Sequence, residues 1–418
     1  MNIGRQVFEF LKAGAVAHAK WDLEVSLSIL RNRRKLLILL CMLLPIFAVA
    51  LVEGADMLGS KTAYAPAHYT TTIFLVSIAI GLCAGLITGC IGAGGGFIIT
   101  PALMAAGVKG ILAVGTDLFH IFAKAIMGTA VHKKLGNVSV KLAIAFLVGS
   151  GLGTFIGGYI NKALYNIDPL LSDTFISVIY AILLGFLGFY ALFDFLKSSK
   201  AESGASAGGG HDAHGGPSGV TGMAVKVQNL NIPPMIGFDE DLGGRKISGV
   251  IVALGGVVVG MLAALMGVGG GFITFPMFVY IFGVSSMTTV GTDILQIIFT
   301  AGLAAVAQYA VYGYVFYTLA MGMLIGSLIG IQVGALTTKV VKGIHIRGFY
   351  AISILAGFIN RAATLPKKLT EMEIINIPKS VSGGIDFVGA IIFWVVVGFF
   401  GLWVLSKFFG NLKALREG

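Results

Sequence analysis

Gly92-Ala93-Gly94-Gly95-Gly96-Phe97-Ile98-Ile99-Thr100-Pro101 is answered 175 residues later by Gly267-Val268-Gly269-Gly270-Gly271-Phe272-Ile273-Thr274-Phe275-Pro276. The match continues downstream. Val114-Gly115-Thr116-Asp117 recurs as Val290-Gly291-Thr292-Asp293 at an offset of 176, and Gly149, Ser150, Gly153 and Gly157 recur as Gly326, Ser327, Gly330 and Gly334 at 177. Offsets that drift by one residue are what duplication followed by small insertions leaves, so the chain reads as two copies of one unit.

Each glycine run stands between an apolar helix and a short apolar piece that ends at a proline. Glycine costs about 1 kcal/mol per residue in a helix, so four glycines in five predict a break. The surroundings place both breaks in a membrane. The chain is 56% hydrophobic and 11% charged, with mean hydropathy +0.92, and Leu36–Val52, Leu142–Ile160, Thr174–Phe193, Phe316–Leu336 and Phe387–Leu405 meet or approach the roughly 20 residues of a span. Leu36–Val52 lies too far in for a cleaved signal peptide and reads as a retained first helix. Unwound backbone at membrane depth is tolerated only where it is buried in protein or lines a watery cavity. Half-helices starting near Phe97 and Phe272 would aim free N–H groups and a positive dipole end into such a cavity, which suits an anion. The competing reading is that the glycines only let helices pack closely; a nucleotide loop is excluded because neither run is followed by Lys and Ser or Thr.

A polar stripe follows each break. Asp117, His120 and Lys124 are spaced i, i+3, i+7 on one helical face, with Asp293, Gln296 and Thr300 at the matching places. Ionisable groups inside a span normally face a partner or a pathway. Lys124 is the candidate for compensating an anion's charge, and Asp117, His120 and Asp293 are candidates for proton coupling. The alternatives are a helix N-terminal acid for each aspartate, and a Lys124 that snorkels to the interface.

Charge sets the expected topology. The formal charge of +10 sits at the ends of apolar spans, as in positive-inside loops rather than a nucleic-acid surface. His132, Lys133, Lys134 and Lys141 follow the third apolar segment of copy one, whereas the matching Tyr312–Tyr317 loop has no charge, so the copies are expected to be inverted. The loop carrying Lys367, Lys368, Glu371, Glu373 and Lys379 then falls outside, against the charge rule. The expected fold class is all-α, an integral membrane protein of two inverted repeats, each with a helix broken at Gly-x-Gly-Gly-Gly. Its expected parts are a cytoplasmic amphipathic segment (1–35), a first transmembrane helix and external loop (36–70), repeat 1 (71–196), a flexible cytoplasmic linker (197–246), repeat 2 (247–363), and a loop, last helix and cytoplasmic tail (364–418). Cys83 and Cys90 lie seven apart on one predicted helix, about 10 Å of rise, too far for a disulfide. His211 and His214 have no further ligand nearby, so neither a metal nor any cofactor is expected.

With the doubled Gly-x-Gly-Gly-Gly-Phe, Pro101 and Pro276, and the Gly-Thr pairs Gly115-Thr116 and Gly291-Thr292, the sequence resembles the TauE/SafE family of sulfite exporters and related anion permeases from about Thr71 to Leu405. The resemblance implies a helical inner-membrane carrier of bacteria or archaea that exports sulfite or sulfonated compounds, driven by the proton gradient. The expected substrate contacts are Gly94, Gly95, Gly96, Phe97, Thr116 and Lys124 in copy one, and Gly269, Gly270, Gly271, Phe272 and Thr292 in copy two. The expected partners are a small inorganic or organosulfonate anion and the lipid bilayer, with no nucleic acid. Two alternatives remain open: an anion channel, or an uptake permease for another small anion. An enzyme is not expected, because no nucleophile is paired with a base and no metal-ligand cluster is spaced on a helix.

Overall fold

A computed structural model describes residues 70–91, 95–134, 139–202, 222–239, 244–338, 340–341 and 343–411. The expected amphipathic segment 1–35, the first expected helix, and Gly92, Ala93 and Gly94 lie outside these residues. The described helices are α1 (Thr71–Ile91), α2 (Gly96–Ala105), α3 (Gly110–Lys134), α4 (Val140–Ile167), α5 (Pro169–Glu202), α6 (Gly222–Gln228), α7 (Gly249–Met266), α8 (Gly271–Pro276), α9 (Ser286–Leu303), α10 (Tyr317–Thr337), α11 (Gly343–Glu371) and α12 (Lys379–Gly410). Seven described helical segments are long and apolar enough to cross a membrane: Thr71–Cys90, Val140–Ile167, Pro169–Phe193, Gly249–Met266, Tyr317–Thr337, Ile344–Glu371 and Lys379–Gly410. The protein is therefore a helical, multi-pass membrane protein.

The faces of α4 explain how such helices associate without a hydrophobic effect between them. Val148, Leu152, Phe155 and Tyr159 are exposed along one side, while Gly149, Ser150, Gly153 and Gly157 are buried along the other. The bulky side suits lipid; the small side meets backbone. A Cβ at Gly153 would stand 2.1 Å from the Val257 carbonyl oxygen of α7, and one at Gly260 of α7 would stand 2.2 Å from that of Ser150. The seam between α1 and α10 is built the same way, with Gly85 against Ser327 and Gly330 against Leu82. Each seam joins a helix of the first copy to one of the second. Contacts rise together along both: Gly81, Gly85 and Gly89 meet Met323, Ser327 and Ile331, while Gly149, Gly153 and Gly157 meet Ala253, Val257 and Met261. Along α5 and α11 they run the other way, Gly185 against Phe358 and Gly188 against Leu355.

The stretch expected to be a flexible linker, 197–246, carries structure at both ends. Helix α5 runs on to Glu202, and α6 precedes an antiparallel hairpin of β1 (Met235–Phe238) and β2 (Arg245–Ser248), in which Phe238 pairs with Arg245. Composition hid this, because the ordering comes from docking. Phe238 and Ile247 are buried with Phe146, Phe278 and Phe282, while Gln228 and Arg245 donate to the carbonyls of Phe282 and Gly283. After Pro276, which has no N–H for the ladder, the chain continues as a π-helical turn over Met277–Phe282.

Candidate functional site

Helix α7 ends at Met266 and α8 begins at Gly271; α1 ends at Ile91 and α2 begins at Gly96. Gly95 and Gly270 immediately precede the short helices with φ of 60° and 93°, the left-handed conformation that residues with a Cβ adopt only at a cost. A helix that stops inside a bilayer leaves carbonyls with no water to meet them. At the end of α7 two tyrosines meet them: Tyr180 of α5 donates to the Met266 carbonyl and Tyr309 to that of Ala264. Asn161 donates to the Tyr309 hydroxyl (2.9 Å) and accepts from Ser172 (2.9 Å), so the cap is anchored in the first copy.

The two breaks adjoin each other. The rings of Phe97 and Phe272 lie 6.1 Å apart, centroid to centroid, and a Cβ on Gly96 would come within 3.1 Å of the Val268 Cα. Gly95, Gly96, Phe97, Gly269, Gly270, Gly271 and Phe272 are all buried. Among the described residues, both sides of this junction are buried in protein.

Two polar clusters flank it, and each bridges the copies. In the first, Thr100 of α2 donates to Asp117 Oδ2 (2.9 Å), while His120 Nε2 pairs with Ser327 Oγ of α10 (2.9 Å). The other atoms of that pair, Asp117 Oδ1 and His120 Nδ1, face each other at 3.7 Å with no hydrogen-bond partner among the described residues, and both side chains have 0% exposure. In the second cluster Gln296 Nε2 donates to Asp293 Oδ1 (2.8 Å), Thr300 donates to Gln296 Oε1 (2.8 Å), and Ser150 of α4 lies 2.9 Å from Thr300. Asp293 also borders the second break, since a Cβ at Gly271 would stand 3.2 Å from its Oδ2. Lys124 is partly buried two turns along α3, close enough to Asp117 and His120 to act on them electrostatically.

Thr116 and Thr292 have defined partners. The Thr116 hydroxyl accepts from the Phe316 N–H (2.9 Å) and that of Thr292 from the Ser139 N–H (3.0 Å), each at the start of the next long helix of the other copy. The N-termini of α3 and α9 are likewise held by carboxylates: Asp173 accepts from Gly110 N–H (2.7 Å), and Asp239 beside the hairpin accepts from Ser285 N–H (2.8 Å).

The sequence reading passed over Tyr180, Tyr309, Asn161 and Arg361. Arg361 left a readable signal, a charge within a long apolar stretch. It has no counterpart in copy one, where Leu184 stands at the matching place, and α11 runs on past it to Glu371. Ser150 and Ser327, which mark the duplication in the sequence, are also the residues through which each cluster reaches the other copy.

The profile of the family described as "Sulfite exporter TauE/SafE" matches residues 77–361, about two thirds of the chain. The chain is similar to the probable membrane transporter protein YunE of Bacillus subtilis, 26% identical over 270 residues that cover 63% of this chain and 87% of the relative. It is also similar to a probable membrane transporter protein of Xylella fastidiosa strain 9a5c, 23% identical over 64% of this chain and 85% of the relative. Probable membrane transporter protein YjnA of B. subtilis is 24% identical over 62% and 87%. No solved structure matches the chain significantly.

Proposed function

Because the chain belongs to the sulfite exporter TauE/SafE family, we propose that it is a secondary transporter, not an enzyme, that exports a small sulfur oxyanion, sulfite or an organosulfonate, with proton coupling across a bacterial or archaeal inner membrane. The printed descriptions of its relatives as membrane transporters support the class. The observation that carries the reading is the adjoining pair of helix breaks, each opening a short helix, an arrangement that suits a buried anion.

Inverted repeats are part of the proposal. Helices α4 and α7 run parallel, as do α1 and α10, whereas α5 and α11 run antiparallel. Only the residue Asp168 separates α4 from α5, and a short turn separates α10 from α11, so each pair doubles back. Taken together, these directions set α4 against its sequence mate α10, which supports an inverted arrangement and the alternating access that goes with it.

The proposed substrate contacts are the backbone and rings at Gly94, Gly95, Gly96 and Phe97 and at Gly269, Gly270, Gly271 and Phe272, with Thr116, Thr292 and Lys124 around them. Asp117 and His120 are proposed as the proton-binding pair, since one proton shared between their facing, unpaired atoms would satisfy both. Asp293, already bonded to Gln296, is the weaker partner in this role.

Efflux of radiolabelled sulfite from proteoliposomes tests the reading. The expected result is saturable efflux that rises when the outer compartment is made acidic, and Asp117→Asn is expected to remove the pH response while leaving anion exchange. Efflux that grows linearly with sulfite and ignores the pH gradient would overturn the carrier.

A further inference from the structure

Helix α11 carries a charge that neither polar cluster accounts for. Arg361 is 2% exposed and lies ten residues before the helix end, about 15 Å of rise and so about half the thickness of a hydrocarbon core. A guanidinium has five N–H donors and no acceptor. Here Nε donates to Asn360 Oδ1 (2.8 Å) and a terminal nitrogen donates to that same oxygen. No carboxylate among the described residues comes within salt-bridge distance of Arg361, although Asp386 and Asp173 act on it from further away. The lysines beyond it on α11 do have one each: Lys367 pairs with Asp386 (3.1 Å) and Lys368 with Asp173 (3.4 Å). A charge at this depth is costly unless it is paired, and one neutral amide oxygen does not pair it.

The surroundings connect Arg361 to the first break. One turn earlier on α11, Gly357 faces Leu184 and the Phe97 carbonyl, and two turns before that Tyr350 packs edge-on against the Phe97 ring at 5.6 Å. Arg361 stands four residues after Gly357, so the two share one face of α11. The same stretch of α11 is polar through the membrane. Ser353, Asn360 and Thr364 are buried, at i, i+7 and i+11 with Gly357 between them, and Ser353 Oγ has no hydrogen-bond partner among the described residues.

We propose that Arg361 is a binding residue for the transported anion: its guanidinium, held by Asn360, supplies the positive charge beside the α2 break, and the polar face of α11 is the wall along which the anion reaches it. This inference rests on the anion-transport reading and adds to it a residue outside the glycine motif and the Lys124 stripe. A planar, bidentate donor suits an oxyanion better than a halide, so selectivity for oxyanions over chloride follows.

The decisive variant is Asn360→Asp, which leaves Arg361 in place but sets a carboxylate against it. If Arg361 is only structural, the new ion pair holds or raises the melting temperature and leaves anion affinity unchanged. If it binds the anion, the same variant folds and loses affinity at least tenfold, because the internal carboxylate competes. Calorimetry on the purified full chain with sulfite, sulfate, thiosulfate and chloride, with melting and elution profiles as the fold check, reads both quantities. Arg361→Lys, which keeps the charge but not the fork, is expected to retain part of the affinity. Wild-type affinity in Asn360→Asp overturns the role of Arg361 and leaves the transporter reading intact. A wild-type protein that binds none of the four anions overturns both. Binding of chloride alone overturns the oxyanion-binding role given to Arg361.

Discussion

Replacing Gly95 and Gly270 with alanine, one at a time, measures what the helix breaks require of the backbone. Both positions hold the left-handed conformation, in which an L side chain costs about 1–2 kcal/mol. Their surroundings differ. An added Cβ at Gly270 meets the Val259 Cγ1 at 2.9 Å, the end of a side chain, with Thr274 Oγ1 next at 3.5 Å. At Gly95 it meets Thr88 Oγ1 at 2.6 Å and the Ala84 carbonyl oxygen at 2.9 Å, and a carbonyl inside a helix cannot step aside. Overpacking of this kind adds about 1–3 kcal/mol. The expected losses are thus about 1–2 kcal/mol for Gly270→Ala and about 2–5 kcal/mol for Gly95→Ala, read from unfolding in mixed detergent micelles. Gly383→Ala on α12, where nothing lies within 4 Å, is the control; it is expected to be neutral or to stabilise by up to about 1 kcal/mol. Losses at Gly95 and Gly270 no larger than the control, or a larger loss at Gly270 than at Gly95, would refute the reasoning.

Lys124→Met is expected to weaken sulfite binding by more than about 1 kcal/mol, the scale of a charge-assisted hydrogen bond, with a smaller loss for Thr300→Val at the matching place; calorimetry giving equal affinities for wild type and Lys124→Met removes Lys124 from the site. For topology, Lys134→Cys and Tyr312→Cys, each in a background where Cys41, Cys83 and Cys90 are replaced by alanine, are expected to react with an impermeant thiol reagent from opposite sides of the membrane. Labelling from one side would end the inverted arrangement.

The helical membrane class was legible in the long apolar blocks, and the ends of two helices in the doubled glycine runs. A single Gly-rich run says only that a helix is weak; two at matching positions mark both breaks, and the Gly-Ser pairs Gly149-Ser150 and Gly326-Ser327 mark the helices that cross to the other copy. What the sequence did not disclose depends on partners far along the chain. Thr116 carries no sign that its hydroxyl accepts from Phe316, 200 residues away, nor Tyr180 that it caps Met266. The hairpin at 235–248 was hidden for a related reason. Its order comes from docking on Phe278 and Phe282, not from its own composition. Arg361 has no sequence mate, since copy one offers no charge in the facing stretch around Leu184, so the comparison of copies that found the other residues passed it by.

The crossed seams bear on how the chain is made. Cys90 and Gly334, in contact across α1 and α10, are 244 residues apart, so the surface that α1 must bury is synthesised long after α1 itself has entered the membrane. Until α10 emerges from the ribosome, α1 holds a strip of bare backbone toward lipid or toward whatever factor attends insertion. Helix α4 waits likewise for α7, so the two seams that join the halves can close only late in synthesis.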